Sequence, residues 1–240
     1  MTYSAARSRN RQATGDVTPD RPAVREVLAP LRTPIRVPPG GQHRNLRPDD
    51  DHLRTPVLNH TGRPLIVALS GDPDPRSGPT RLLARSPEVA PDTVVVNHEL
   101  SLGDLPPHTT TADLRPPQMV RLEEELTRAG GLILASPPVA GDVAEPIRRL
   151  VDWLEGSTVL EGMPTAVLST ALVPDAHLAH AALIDALMAL GAQVVSRACL
   201  AVPGTDQAFN EAGELVQPFV MDTLWVALAF LAEAVVGSGR

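Results

Sequence analysis

Hydroxyl groups, small residues and acids are concentrated in one stretch, residues 65–83, with the sequence LIVALSGDPDPRSGPTRLL. Residues 65–69 are apolar and aliphatic, which predicts a strand buried on both faces. A loop of small and turn-forming residues follows to Ser77, and the pattern from Thr80 onward predicts a helix. A strand, a loop and a helix start in this order present backbone N–H groups to an anion. The stretch therefore predicts a site for a phosphate-bearing ligand.

The composition excludes several functions. All 21 basic residues are Arg, so the chain has no phosphate-loop lysine, no Schiff-base lysine and no anchor for pyridoxal phosphate. Residues 1–60 carry ten Arg and six acids, a charge of +4, and the remaining residues carry −11. The acidic charge of the main part of the chain argues against a nucleic-acid partner.

Cysteine content and hydropathy bear on the location of the protein. Cys199 is the single cysteine, so an internal disulfide cannot form and a reducing compartment is expected. Its apolar neighbours predict a buried structural thiol. The chain has no 18 consecutive apolar residues, and its first residues lack the apolar core of a signal peptide. We therefore expect a cytoplasmic protein with no membrane partner.

Residues 1–62 are predicted to be an N-terminal tail. They contain eight Pro and are rich in Arg, with no sustained periodicity, which predicts disorder apart from a helical turn or two at 23–31. The tail is either an arm for an acidic partner or a nucleic acid, or it is dispensable. The folded domain is predicted at 63–240.

From residue 64 onward, short apolar runs alternate with helical patterns, which predicts a three-layer α/β sandwich around a parallel sheet. The predicted strands are 65–69, 93–96, 132–135, 165–168 and 193–202. The predicted helices start near Thr80 and then cover 116–129, 143–154, the stretch from Asp175 to Gly191, and 218–236. Ligands of such sheets bind at the carboxyl ends of the strands, so the loops 70–80, 136–142 and 169–175 are expected to meet.

Two apolar features of the predicted helices point to packing. The last helix is apolar on most faces, so we expect the sheet and a second subunit to cover it. Trp153 and Trp225 lie at apolar helix positions and are predicted to be in the core or in an interface. In the long loop after the second strand, Asp104 and His108 are candidates for substrate contact.

Three segments resemble the NADPH-dependent FMN reductase family of flavodoxin-like proteins. SGDPDPRSGPTRLL resembles the family's Ser-Gly-Ser-Pro-type loop in length and in Ser70, Gly71, Pro73 and Ser77. LILASPPVAGDVAEPIRRLVDWL resembles its strand, Ser-Pro turn and following helix, and LMALGAQVV resembles its fourth helix and fifth strand. The resemblance covers about residues 65–236, and it is especially to reductases that supply reduced flavin to two-component monooxygenases.

The resemblance implies a flavodoxin-like sandwich with a five-stranded parallel sheet in the order 2-1-3-4-5. It implies FMN as the flavin and NADPH or NADH as the electron donor, with a possible monooxygenase partner and a homodimer or tetramer. Hydride passes directly from nicotinamide to flavin in such enzymes, so no catalytic side chain and no metal is implied.

The resemblance also implies which residues contact FMN. The phosphate end is implied at Ser70, Asp72, Ser77 and Thr80. The pyrimidine end of the ring is implied at Ser136, Pro137, Pro138, Val139, Ala140 and Gly141. The other flank of the ring is implied at Ser169, Thr170, Ala171 and Leu172.

Some positions depart from the family pattern. The family's ring-contacting Tyr is replaced within 138–140, and its consecutive Gly are replaced by Ala171 and Leu172. Asp72 replaces a hydroxyl residue and Asp74 follows it; each would repel a phosphate by about 1 to 2 kcal/mol at about 7 Å, which Arg76 and Arg81 offset. The second interpretation is therefore a non-catalytic flavodoxin-fold binding or scaffold protein that has lost flavin binding.

Overall fold

The computed structural model describes residues 58–59, 61–98, 100–108, 115–137, 143–170, 176–202 and 204–238. The predicted tail lies outside these residues except at its end. There, Leu58 forms an antiparallel bridge with Pro64, and the Asn59 side chain accepts the backbone N–H groups of Thr61 and Arg63. An Asn that bonds the backbone ahead of it stabilises a turn, so an ordered turn leads into the first strand.

Strands and helices alternate along the described chain. The strands are β1 (Leu65–Ser70), β2 (Val95–Asn97), β3 (Gly131–Ser136), β4 (Pro164–Ser169), β5 (Gln193–Val194) and β6 (Leu200–Ala201). The helices are α1 (Gly78–Ala84), α2 (Ser86–Val89), α3 (Pro117–Arg128), α4 (Glu145–Leu154), α5 (Ala176–Ala189) and α6 (Phe219–Gly237).

The strands form one parallel sheet in the order β2-β1-β3-β4-β5, with β6 also pairing with β4. The predicted α/β fold and its 2-1-3-4-5 order are confirmed. The strand order reverses between β1 and β3, and open α/β sheets bind their ligands at such a point.

Side chains of the central strands alternate between two cores, because successive residues of a strand point to opposite faces. Ile66, Ile133 and Leu168 pack into one core together with α1 and α6. Val67 and Leu134 pack into the other core, with residues of α3, α4 and α5. Both faces of the sheet are thus covered, which gives the predicted three layers.

Helix α6 packs along the first core. Its buried residues recur every three or four positions, as a helix facing a sheet requires. They are Val220, Leu224, Ala227, Leu228, Leu231, Ala232 and Val235. The helix is long and apolar enough to cross a membrane, but a helix that lines a protein core has the same composition. Phe219 and Trp225 are 47% and 53% exposed, so Trp225 is not a core residue of the single chain.

The predicted continuous strand 193–202 is wrong, because the structure divides it. β5 pairs with the start of β4 and β6 with its end, and a 3-10 turn at Ser196–Ala198 separates them. At this interruption, the backbone N–H of Val167 in β4 donates to Cys199 Sγ at 3.4 Å. A side chain therefore takes the place of a backbone acceptor, and burial raises the pKa of the Cys199 thiol, which keeps it neutral and poorly nucleophilic.

Replacing Cys199 with alanine is expected to lower the free energy of unfolding by about 1 to 3 kcal/mol, because the buried Val167 N–H loses its acceptor. Cys199→Ser keeps an acceptor and is expected to recover part of the loss. Urea unfolding of both variants measures the difference. An alanine variant as stable as the parent would contradict the role of the sulfur.

Candidate functional site

Three serines end the three central strands at the same edge of the sheet. Ser70 ends β1, Ser136 ends β3 and Ser169 ends β4. Ser70 is in register with Ala135, and Ser136 with Ser169. Thr170, which is 5% exposed, donates both its backbone N–H and its hydroxyl to the Ser136 carbonyl, at 3.1 and 3.0 Å. The expected meeting of the loops at this edge is confirmed for their described residues.

Hydroxyl groups converge in the loop between β1 and α1. Thr80 Oγ1 donates to Ser70 Oγ at 2.7 Å, and Ser77 Oγ donates to Thr80 Oγ1 at 3.0 Å. Ser77 also caps α1, since its Oγ accepts the backbone N–H of Thr80 at 3.4 Å. Ser and Thr cap helices because their short side chains reach these N–H groups. Asp72 joins them through its backbone, since its N–H donates to Ser70 Oγ and its carbonyl accepts from Thr80 Oγ1. All four residues implied for the phosphate end therefore form one hydrogen-bonded group.

The acids of this loop bond to its backbone. Asp72 Oδ1 accepts the N–H of Asp74 at 2.9 Å, and Asp74 Oδ1 accepts the N–H of Arg76 at 2.9 Å. The hydrogen bond from Arg76 N–H, with the nearby guanidinium groups of Arg76 and Arg81, lowers the pKa of the Asp74 carboxyl below its ordinary value. Asp74 is therefore ionised at neutral pH, and carboxylates occupy donors that an anionic ligand would use.

A segment far along the chain completes this arrangement. Asp206 Oδ1 accepts the backbone N–H of Gly78, the first residue of α1, at 3.1 Å. The approach is close: a Cβ at Gly78 would lie 2.3 Å from the carbonyl carbon of Thr205, a residue that is 1% exposed. Arg81 Nη1 donates to the Asn210 carbonyl at 3.3 Å.

Sequence reasoning did not find the contact of Asp206 with the loop. In the sequence, Asp206 lies in the connection before the last predicted helix, and no pattern there singles it out. The available signal was that this connection follows the last strand of the parallel sheet and so starts from the same edge as the other loops. Gly204, with φ of 74°, makes the sharp turn that a side chain would strain, and this turn brings Asp206 back to α1.

Residues 100–108 border the β1–α1 loop on another side. Ser101 bridges Ser70 in parallel, and Leu102 and Leu105 are buried. Helix α4 holds the segment: Trp153 Nε1 donates to the Pro106 carbonyl at 2.8 Å, and Arg149 Nη1 donates to the Leu105 carbonyl at 3.0 Å. The predicted burial of Trp153 is confirmed, at 6% exposure.

The two substrate-contact candidates of this segment are both exposed. The His108 ring lies edge-on to Trp153, with centroids 4.7 Å apart. Asp104 lies between the buried Leu102 and Leu105. Their contact with a substrate stays a prediction.

Several residues implied for the ring of the flavin lie outside the described residues. They are Pro138, Val139, Ala140, Gly141, Ala171 and Leu172. Pro137 is described, and its Cδ lies 2.9 Å from where a Cβ of Gly71 would stand, so this proline packs on the β1–α1 loop. Within the described part of the chain, no group of three or more His, Cys, Asp or Glu is placed to hold a metal ion.

The hydroxyl groups of the β1–α1 loop suit the phosphate end of FMN. The hydroxyls of Ser70, Ser77 and Thr80 are donors that strengthen when their acceptor is charged, and Arg81 adds positive charge. The loop N–H groups fit less well, because carboxylates already accept from some of them. An FMN phosphate would have to exchange with these acceptors.

Comparison with known proteins identifies the family. The model of the NADPH-dependent FMN reductase family matches residues 64–207, whereas no curated protein matches the chain. FerB, a flavoenzyme NAD(P)H:(acceptor) oxidoreductase from Paracoccus denitrificans, is a structural neighbour with a TM-score of 0.61 and 20% identity, covering 74% of this chain and 100% of its own.

Two further solved structures share the fold. An oxidoreductase from Corynebacterium diphtheriae has a TM-score of 0.54 and 19% identity, covering 73% of this chain and 98% of its own. The NADH:FMN oxidoreductase EMOB has a TM-score of 0.50 and 20% identity, covering 70% of this chain and 88% of its own. At these identities the neighbours show the fold, and the family model shows the relationship: this chain belongs to the NADPH-dependent FMN reductase family.

Proposed function

We propose that this chain reduces FMN with NADPH or NADH and releases the reduced flavin to a partner monooxygenase. Its family makes it an NAD(P)H-dependent flavin oxidoreductase, with FMN and NAD(P)H as cofactors. The observation that carries the proposal at residue level is the convergence of the Ser70, Ser77 and Thr80 hydroxyls at the carboxyl end of a central strand.

The residues of this chain bind and orient the flavin. Ser70 would donate its hydroxyl to the phosphate, and Ser77 and Thr80 would donate theirs in exchange for the bonds that join the three hydroxyls. Arg81 beside them would offset part of the phosphate charge. Ser136 and Ser169, at the neighbouring strand ends, would border the ring. Bound FMN supplies the redox chemistry by accepting a hydride from the nicotinamide, so the proposal assigns no side chain as acid, base or nucleophile.

Release of the flavin is supported by the carboxylates that already accept N–H groups of the β1–α1 loop. A phosphate whose N–H donors have competing acceptors is held less tightly than one in a free cradle. Weak binding suits a reductase whose product must leave and reach a second enzyme. A flavin that copurifies with the protein and does not exchange with added FMN would contradict this part of the proposal.

A homo-oligomer is supported by helix α6. Phe219 and Trp225 are about half exposed on it, and large apolar side chains of this kind are enriched in subunit interfaces. We propose that a second copy of the chain covers them. Light scattering of the purified protein measures the oligomeric state, and a monomer at micromolar concentration would contradict it.

Thr80→Val is expected to weaken FMN binding about tenfold or more, because the variant loses a hydroxyl that would donate to a charged phosphate. Thr223→Val is the matched control: its hydroxyl donates to the Phe219 carbonyl within α6, and its FMN affinity is expected to be unchanged. Quenching of flavin fluorescence measures the dissociation constants.

The activity test is oxidation of NADPH or NADH, followed at 340 nm with and without added FMN. We expect the rate to depend on FMN. If the protein binds no FMN below millimolar concentration and oxidises neither nucleotide, the reductase assignment is wrong and the scaffold interpretation holds.

A further inference from the structure

The β1–α1 loop has few backbone donors to offer a ligand. Between Gly71 and Thr80, three prolines at 73, 75 and 79 lack an N–H. The seven remaining N–H groups all donate to acceptors in the chain. The acceptors are Ala135 O for Gly71, Ser70 Oγ for Asp72, Asp72 Oδ1 for Asp74, Asp74 Oδ1 for Arg76, Asp74 O for Ser77, Asp206 Oδ1 for Gly78 and Ser77 Oγ for Thr80.

Three of these seven acceptors are carboxylate oxygens, at 2.9, 2.9 and 3.1 Å from their donors. The carboxylates of Asp72, Asp74 and Asp206 thus accept the loop N–H groups that a bound anion would otherwise accept. Against their three charges stand the guanidinium groups of Arg76 and Arg81. Since one N–H cannot serve a carboxylate and a phosphate equally well, a phosphate must displace these groups and approach their charge.

The backbone of the Asp206 segment is held in place, although the Asp206 side chain is itself exposed. Thr205 is 1% exposed, Ala208 is fully buried and Phe209 is 7% exposed, and the Thr205 backbone lies against Gly78. The Arg81 side chain also binds the segment, at the Asn210 carbonyl. The backbone therefore keeps Asp206 near Gly78, whereas Asp72 and Asp74 belong to the loop itself.

We propose that Asp72, Asp74 and Asp206 determine which flavin this chain takes: they disfavour the terminal phosphate, so that riboflavin binds about as tightly as FMN. The inference rests on the proposed function, since it assumes that a flavin occupies this edge of the sheet. Riboflavin presents the same ring and sugar chain without the phosphate, so the comparison of the two flavins isolates the effect of the carboxylates.

The test compares the dissociation constants of FMN and riboflavin, measured by fluorescence quenching for the full chain and for Asp72→Asn/Asp74→Asn/Asp206→Asn. Asparagine keeps the accepting oxygen and removes the charge. Asp92→Asn is the control, because Asp92 precedes β2 and so lies at the opposite edge of the sheet; its side chain is exposed.

In the parent we expect the two constants to agree within about threefold. Removal of three charges is expected to tighten FMN binding at least tenfold, since one unit charge at about 7 Å and an effective dielectric of about 35 is worth about that factor. Riboflavin binding is expected to change less than about twofold. The control is expected to bind both flavins as the parent does.

Two results would overturn the inference and leave the reductase in place: a parent that binds FMN more than about 30-fold tighter than riboflavin, or a triple variant with the parent's ratio. Failure of the parent to bind either flavin would instead overturn the proposed function and the inference together. If the triple variant does not fold, Asp74→Asn, at an exposed position, is measured instead. A lower dissociation constant for FMN with an unchanged constant for riboflavin supports the inference, and an unchanged ratio of the two constants contradicts it.

Discussion

Gly78→Ala is expected to lower the free energy of unfolding by about 3 kcal/mol or more, the upper range for an overpacked site. The added Cβ would stand 2.3 Å from the Thr205 carbonyl carbon, 2.5 Å from Thr205 O and 2.5 Å from Asp206 N. All three are backbone atoms, so no side-chain rotation relieves the overlap. The segment cannot shift freely either, because Thr205 and Ala208 are buried.

Thermal and urea unfolding measure this effect. For a chain of this size, a loss of about 3 kcal/mol corresponds to a melting temperature lower by about 6 to 12 °C. Gly237→Ala is the matched control, because a Cβ at Gly237 meets nothing within 4 Å and alanine favours the helix there. A Gly78→Ala variant as stable as this control would mean that the 204–210 segment does not pack on α1.

Trp153→Ala is the second large effect, with an expected loss of about 3 to 5 kcal/mol. The ring is 6% exposed in the core formed with α4, so alanine leaves a cavity. The variant also removes the hydrogen bond to the Pro106 carbonyl and the ring contact with His108. Unfolding in urea measures the loss, and limited proteolysis is expected to cut the 100–108 segment faster.

Trp153→Phe separates the two contributions. Phenylalanine keeps most of the buried area and loses the N–H, so the hydrogen bond alone should account for about 0.5 to 1.5 kcal/mol. If both variants are equally unstable, the ring packing contributes little and the hydrogen bond is the main attachment. If neither variant changes proteolysis, Trp153 does not hold the segment.

The fold was predictable because its signals are local. Apolar runs of three to five residues with Gly, Ser or Pro close by mark β1, β3 and β4, and their buried patterns agree with strands covered on both faces. The division of the last strand was not predictable in this way. It depends on a contact between Cys199 and the Val167 backbone, and its local sign is the polar pair Ser196 and Arg197 inside the 3-10 turn.

For the candidate site, the residues at the strand ends could be predicted from the sequence, whereas the contacts between distant segments could not. That Ser70, Ser136 and Ser169 lie at one edge follows from parallel strands ending in hydroxyl residues. The bond between Gly78 and Asp206 spans 128 residues, and no periodicity encodes such a pair. The ring contacts at 138–141 and 171–172, the cytoplasmic location, the N-terminal tail and the monooxygenase partner stay predictions.

The divided last strand also affects how the protein meets other chains. An edge strand with a long row of unpaired N–H and C=O groups can pair with a strand of another molecule, and this is a common route to aggregation. In this protein the edge of the sheet next to β4 consists of β5 and β6, two residues each, with the 3-10 turn between them. Such a short, interrupted edge has too few consecutive backbone N–H and C=O groups for a strand of another molecule to pair with it and extend the sheet.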